Sequence, residues 1–192
     1  LVACHEIGHH VGGAPKIDGM WATNEGGSDY FANAKCLRRI FAQGMADSFT
    51  RMAGQDEQAK AACAAGFPAS AAEQAACVRG TMAGISVSTL LAGNGPTPNL
   101  STPDPAIVSH TDDEHPAAQC RLDTYFQASQ CPRTYQEDLN DENPAIGACT
   151  KSQGFSVGLR PRCWYKPPSS EDRPNVAKRI EIRITPDIFT GL

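Results

Sequence analysis

The sequence predicts a mainly helical protein with a disulfide-rich, irregular C-terminal tail and one terminal strand. Three observations predict this fold class: apolar residues recur with helical spacing before position 131, eight cysteines are spread along the chain, and the remainder is rich in proline and glycine. The chain has 192 residues, of which 41% are hydrophobic and 20% charged, as expected of one globular domain or a small pair. We therefore expect a helical domain at 1–130 and a Cys- and Pro-rich extension at 131–192 packed on it.

The helical segments follow from apolar periodicity and from residues that begin or end helices. Gly12 and Gly13 end the first helix, Thr23 or Asn24 caps the second, and Pro116 suits the first turn of the last. The predicted helices span 1–11, 24 to about 50, 55–66, 70–92 and 116 to about 129. The second pair forms a hairpin, a proline-rich loop covers 93–110, and the alternating residues 178–184 predict the terminal strand.

Charge and hydropathy exclude several classes of partner. The formal net charge of -4 disfavours binding to nucleic acid or to anionic membranes. The most apolar stretch, 81–92, is shorter than a bilayer span and is interrupted by Gly84, so we expect the chain to be soluble. Because its first residues already read as a functional helix, we expect a fragment or a processed chain, with membrane attachment possible only through a part that precedes Leu1.

The cysteines indicate an oxidising compartment. They form no CxxC pairs of the kind found in zinc ribbons or thioredoxins, so a secreted or periplasmic protein with disulfides is expected. Three short intervals suggest the pairs Cys63–Cys77, Cys120–Cys131 and Cys149–Cys163, which leaves Cys4 with Cys36. The alternative is that some of these thiols are free and buried.

The first predicted helix carries the motif HExxH, as His5, Glu6 and His9. Residues four positions apart lie on one face of a helix, so both imidazoles can bind one zinc ion while Glu6 lies beside it as a general base. A helix with two partly buried histidines is the plainer alternative. A catalytic zinc site needs a third protein ligand and an open position for water. The metzincin motif would supply a third histidine where this chain has Pro15, so that pattern fails.

The segment Asn24-Glu25-Gly26-Gly27-Ser28-Asp29 matches NExxSD. Here the chain resembles the gluzincin metallopeptidases of the thermolysin branch. The resemblance implies that Glu25 is the third zinc ligand and that Asp29 orients His5, as carboxylates commonly do for metal-binding histidines. The alternative for Glu25 is an ordinary exposed glutamate in the first turn of a helix.

A further block, His115-Pro116 followed by Arg121, is similar to the HP-plus-Arg signature of the CAAX prenyl endopeptidases and the HtpX-like peptidases. In these families the histidine lies over the zinc and helps to stabilise the oxyanion, and the arginine supports the site. The alternatives are a surface histidine before a helix and an arginine that pairs with a neighbour such as Asp123.

Together these resemblances imply the helical catalytic part of an α+β zincin-like metallopeptidase, whose sheet would precede Leu1. The expected activity is that of a zinc-dependent endopeptidase acting on peptide or protein substrates with one catalytic Zn²⁺. Two alternatives belong to other classes: a catalytically silent zinc protein and a metal-free, disulfide-bonded extracellular binding module. Glu6 argues against the first, because a structural zinc site has no need of that carboxylate.

Other histidines and aromatic residues receive plainer interpretations. His10 points away from the His5–His9 face, so we expect it at the surface. Trp21, Tyr30, Trp164 and Tyr165 are expected to be packing residues.

Overall fold

A computed structural model describes residues 1–42 and 56–172 and confirms the mainly helical class. Within these ranges the regular elements are α1 (Val2–Val11), α2 (Glu25–Phe31), a π-helical segment (Ala32–Leu37), α3 (Arg38–Ile40), α4 (Glu57–Gly66), α5 (Ala71–Ala92), α6 (Ala118–Gln130), a 3-10 turn (Lys151–Gln153) and α7 (Ser169–Asp172). The only β pairings in the described ranges are two isolated bridges, Lys16 with Thr23 and Cys149 with Leu159. The predicted strand at 178–184 lies outside the described residues.

The predicted hairpin of two helices is confirmed as α4 and α5. Asp56 caps α4 by accepting from the Ala59 amide at 2.8 Å, and Ser70 caps α5 by accepting from the Glu73 amide at 3.2 Å. The disulfide Cys63–Cys77 joins the two helices. α5 also packs along α6.

The second predicted helix is present within the described residues as one continuous run of α2, the π-helical segment and α3, whereas its predicted end near position 50 lies outside them. Its centre carries the buried Asn33, whose amide donates to the Gly80 carbonyl at 2.9 Å and to the Tyr125 carbonyl at 3.0 Å. These bonds join the run to α5 and α6. Since a π-helical turn leaves main-chain groups without their usual partners, it is often found beside functional sites.

Four disulfides are present, and the described residues contain no free cysteine. Cys4–Cys36 and Cys63–Cys77 are confirmed, whereas the predicted pairs Cys120–Cys131 and Cys149–Cys163 are wrong. The observed pairs are Cys120–Cys163 and Cys131–Cys149. Cys120 lies in the first turn of α6 and Cys131 follows its end, so a helical rise of about 1.5 Å per residue holds them about 16 Å apart. That distance is beyond the reach of a disulfide. The four bonds indicate an oxidising compartment.

α6 begins at Ala118, two residues after the position predicted from Pro116. Ala117 has an extended backbone with ψ near 152°, so Pro116 lies before the helix. The preceding loop at 93–110 is irregular, as predicted.

The described part of the tail, 131–172, is mostly irregular. Its main-chain carbonyls accept hydrogen bonds from cationic side chains of the helical part. Lys35 donates to the Thr134 carbonyl at 2.7 Å. Arg38 donates to the carbonyls of Cys131 at 2.9 Å and Arg133 at 2.8 Å. Main-chain carbonyls that a sheet would satisfy are therefore satisfied here by buried side chains.

The long helix α5 is longer than the apolar stretch that the sequence suggested. By length and composition alone, its 22 residues are long and apolar enough to cross a membrane. About 33% of the most apolar part of this helix is buried. A Cβ on Gly84 would lie 2.6 Å from the Tyr125 Cβ, so α5 and α6 are in close contact. Core helices of soluble proteins meet the same criterion, and composition alone assigns neither role.

Candidate metal centre

The candidate site lies where α1 crosses α2. A Cβ on Gly8 would lie 2.8 Å from the Ser28 Cα, so only glycine permits this close approach of the two helices. Their proximity brings together His5 and His9 of α1 and Glu25, the first residue of α2. One potential ligand atom from each of these residues lies within 4.8 Å of the other two. Asn24 caps α2 by accepting from the Gly27 amide at 2.9 Å.

Hydrogen bonding fixes the tautomer of His5. Its Nδ1 lies 2.7 Å from Oδ1 of Asp29, an ionised oxygen that can only accept, so Nδ1 carries the proton. In the neutral ring Nε2 then has a free lone pair. That atom lies 3.2 Å from Oε2 of Glu25.

The same argument applies to His9, which is held by main chain instead of a carboxylate. Its Nδ1 lies 2.8 Å from the Thr23 carbonyl oxygen, and the Thr23 amide in turn donates to the His9 carbonyl at 2.9 Å. Nε2 of His9 lies 3.6 Å from Oε1 of Glu25. With the proton on Nδ1, each neutral ring would present an unprotonated Nε2 to the same carboxylate.

The lone pairs of the two Nε2 atoms and of the Glu25 carboxylate would repel one another unless a cation lay between them. Oε2 of Glu25 is buried and accepts no hydrogen bond, although Nε2 atoms of two histidines approach it. Burial alone lowers the pKa of His5, but the hydrogen bond to Asp29 and the adjacent Glu25 carboxylate outweigh this effect and raise that pKa to about 9. Burial alone raises the pKa of Glu25, but the nearby imidazoles of His5, His115 and His9 outweigh this effect and lower that pKa. A proton or a metal ion satisfies this set, and two nitrogens with one carboxylate are a donor set that suits zinc.

Asp29 is fully buried and joins the site to α6. Arg121 donates to it twice, from Nε to Oδ2 and from Nη2 to Oδ1, each at 2.7 Å. Burial raises the pKa of Asp29, but the bonds to His5 and Arg121 outweigh that effect and lower it. Asp29 therefore lies between His5 and Arg121, and the roles of both residues in supporting a metal site stay predictions. Asp123, the alternative partner for Arg121, instead accepts from Gln119 and from the Asp104 amide.

Sequence reasoning missed Tyr125. Its hydroxyl donates to Oδ1 of Asp29 and accepts from Nη2 of Arg121 at 3.2 Å. Burial and the neighbouring Asp29 carboxylate raise the pKa of this phenol, which remains a donor at neutral pH. The available signal was its spacing, because Tyr125 lies one turn after Arg121 on the same face of α6.

His115 lies at the mouth of the site. Its side chain is 68% exposed, and Nε2 lies 3.2 Å from Oε2 of Glu25. The loop that carries it is held on both sides: the side-chain Nδ2 of Asn24 donates to the Asp112 carbonyl at 2.9 Å, and the main-chain amide of Asp112 donates to the Trp164 carbonyl at 2.8 Å. Asn24, which caps α2, therefore also helps to position His115 over Glu25.

Glu6 is exposed on α1, between the two histidines in sequence. Among the described residues it makes no hydrogen bond or ion pair, in contrast to Glu25 and Asp29. Its role as general base stays a prediction, and its carboxylate is accessible to a substrate.

Of the four aromatic residues that were predicted to be packing residues, three are buried and one is exposed. Tyr30, Trp164 and Tyr165 are buried, which confirms their role in packing. Trp21 is 62% exposed, so that prediction is wrong; its ring lies against His10, with centroids 4.8 Å apart. His10 is exposed as expected.

Comparison with known proteins gives no additional support. No family model matches the chain, and neither the curated proteins nor the solved structures compared with it give a match.

Proposed function

We propose that this protein is a zinc-dependent endopeptidase. The observation that carries the proposal is the convergence of His5 Nε2, His9 Nε2 and the Glu25 carboxylate, whose buried Oε2 accepts no hydrogen bond. Zinc would be held by these three side chains. Asp29 fixes the orientation of His5, and the Thr23 carbonyl fixes that of His9.

When bound, zinc would supply a water molecule of lowered pKa and would polarise the substrate carbonyl. Glu6 accepts the proton of the attacking water and transfers it to the leaving amine. His115 donates a hydrogen bond from Nε2 to the oxygen that becomes negatively charged. Its exposed position at the mouth suits contact with a substrate, and Asn24 limits the movement of its loop.

In this proposal α1 and α2 are the helical part of a zincin-like α+β fold. The protein acts on peptides or proteins in a secreted or periplasmic setting, which the four disulfides support. The competing hypothesis is a zinc protein with the same three ligands and no catalytic activity. Activity that depends on Glu6 separates the two.

The test compares wild type with Glu6→Gln for cleavage of a quenched fluorescent peptide library and for zinc content. Glu57→Gln is the matched control, because Glu57 lies on α4 with a side chain that is 83% exposed and pairs with Lys60. We expect Glu6→Gln to keep its zinc and to lose about 100-fold or more in kcat, in the range attributed to general base catalysis. Full activity of zinc-loaded Glu6→Gln, or an inactive zinc-loaded wild type, would contradict the proposal.

His115→Ala tests the second role. We expect it to retain zinc and to lower kcat by about 100-fold, the usual loss when one oxyanion donor is removed, with a smaller change in KM. Loss of zinc would show that His115 is a metal ligand instead.

A further inference from the structure

Tyr125 of α6 is connected to the candidate metal centre through a carboxylate. The residue is 1% exposed, and its hydroxyl donates to Oδ1 of Asp29 and accepts from Nη2 of Arg121 at 3.2 Å. The same oxygen of Asp29 accepts from Nδ1 of His5 at 2.7 Å. One shared oxygen atom therefore separates the Tyr125 hydroxyl from the ring of a potential metal ligand.

That shared oxygen accepts from three donors. They are Nδ1 of His5, Nη2 of Arg121 and the Tyr125 hydroxyl, while Oδ2 of Asp29 accepts from Nε of Arg121. An ionised carboxylate offers about four lone-pair positions, and these four bonds use them all. Arg121 by itself holds the carboxylate as a planar fork. The phenol adds a donor from the next turn of α6 and so opposes displacement of Oδ1 away from His5.

Tyr125 is itself held firmly in place. Its main-chain carbonyl accepts from Nδ2 of Asn33 at 3.0 Å and from Oγ of Ser129 at 2.8 Å. On the side of α5, a Cβ on Gly84 would lie only 3.2 Å from the nearest atoms of the phenol ring. A side chain that orients a metal ligand through another residue needs such support, because any looseness in it would pass to the ligand.

We propose that Tyr125 is a positioning residue of the candidate zinc site and acts on His5 through Asp29. Its hydroxyl keeps Oδ1 where it accepts from Nδ1 of His5, which keeps Nε2 of His5 directed at the Glu25 carboxylate. The inference rests on the proposed function, since it concerns the affinity of that site for zinc. Loss of the hydrogen-bonding partners of metal-binding histidines typically weakens metal affinity by about 10–100-fold.

The plainer alternative is that a buried hydroxyl stabilises the fold and nothing more. Tyr30 offers a matched control for this alternative, because it is also fully buried. Its hydroxyl donates to the Gly158 carbonyl at 2.7 Å and accepts from the Cys149 amide at 3.2 Å, and neither partner belongs to the metal centre. A purely structural role predicts that Tyr125→Phe and Tyr30→Phe affect zinc binding alike.

The test measures the Kd for zinc of the full, oxidised chain at neutral pH, by competition with a chromophoric chelator. We expect Tyr125→Phe to raise this Kd about tenfold and Tyr30→Phe to leave it unchanged. Asp29→Asn tests the route of the effect. If Tyr125 acts through Asp29, adding Tyr125→Phe to Asp29→Asn should change the Kd by less than about twofold, since coupled residues are not additive. Circular dichroism confirms that each variant is folded.

Two results would overturn the inference and leave the proposed function intact. One is a Tyr125→Phe variant that binds zinc as tightly as wild type or no more weakly than Tyr30→Phe. The other is the same loss of affinity from Tyr125→Phe with and without Asp29→Asn, because the effect would then not pass through the carboxylate. Folded wild type that binds no zinc would instead contradict the proposed function, and this inference with it.

Discussion

The metal centre and the irregular segment 131–172 both bury charged side chains, but they neutralise them differently. In the metal centre, ionisable groups are paired with one another: Asp29 accepts two hydrogen bonds from Arg121, and Glu25 faces imidazoles. In the irregular segment, main-chain carbonyls accept hydrogen bonds from Arg160 of the same segment and from Lys35 of the π-helical segment. The first arrangement fixes the orientation of ionisable groups and so serves chemistry. The second replaces the hydrogen bonds of a sheet and so serves to hold a loop in place.

The largest expected effect comes from removing one partner of the buried ion pair. Asp29→Ala leaves Arg121 buried without its carboxylate, and we expect the free energy of unfolding to fall by about 3–5 kcal/mol in urea denaturation at pH 7. Adding Arg121→Met should restore part of this loss, because no isolated charge then remains. Additive losses in the double variant would show that the two residues are not energetically coupled.

The irregular segment should instead depend on its cross-links. Replacing Cys131 and Cys149 by alanine opens a bridge between positions 18 residues apart. We expect the free energy of unfolding to fall by about 3 kcal/mol, from the entropy that the unfolded chain regains. Zinc content should stay unchanged, which atomic absorption would measure. A variant that loses its zinc would show that the two regions are not separable.

Lys35 gives the irregular segment a pH dependence of its own. Burial lowers its pKa to about 8, from an ordinary value of 10.5. Below pH 8 both folded and unfolded chains carry the ammonium, and the folded chain bears the full cost of burying it. As the pH rises from 8 to 10.5 the folded chain loses this proton first, so stability should rise by up to about 3 kcal/mol. Lys35→Met should lack this rise in urea denaturation across that pH range, and equal slopes would contradict the assignment.

The smallest expected effect tests the contact that connects the two regions. Trp164 of the irregular segment lies over Gly26, where a Cβ would be 2.2 Å from the indole Cδ2. The indole is also held by its bond to Thr124 Oγ1 at 2.9 Å. We expect Gly26→Ala to lower the free energy of unfolding by about 1–3 kcal/mol and to weaken zinc binding, because Glu25 is adjacent. Gly66→Ala is the control, since its Cβ would lie 3.5 Å from the nearest atom outside its own helix. Equal stability of both variants would contradict the contact.

Local signals predicted the helices and the residues grouped at the candidate centre. His5, His9 and Glu25 belong to short motifs on consecutive helices, so local spacing was sufficient to nominate them. The bridges Cys120–Cys163 and Cys131–Cys149 were not predictable from intervals, since they depend on how the tail folds back over α6. Tyr125 and Trp164 were missed as neighbours of the site because their contacts span distant parts of the chain.

The most direct test of the central claim is the zinc stoichiometry of the purified, oxidised protein, measured for wild type beside Glu25→Ala and the control Glu57→Ala. We expect one zinc per chain for wild type and for Glu57→Ala, and loss of zinc from Glu25→Ala. Folded wild type that takes up no zinc, or Glu25→Ala that binds zinc as tightly as wild type, would contradict it.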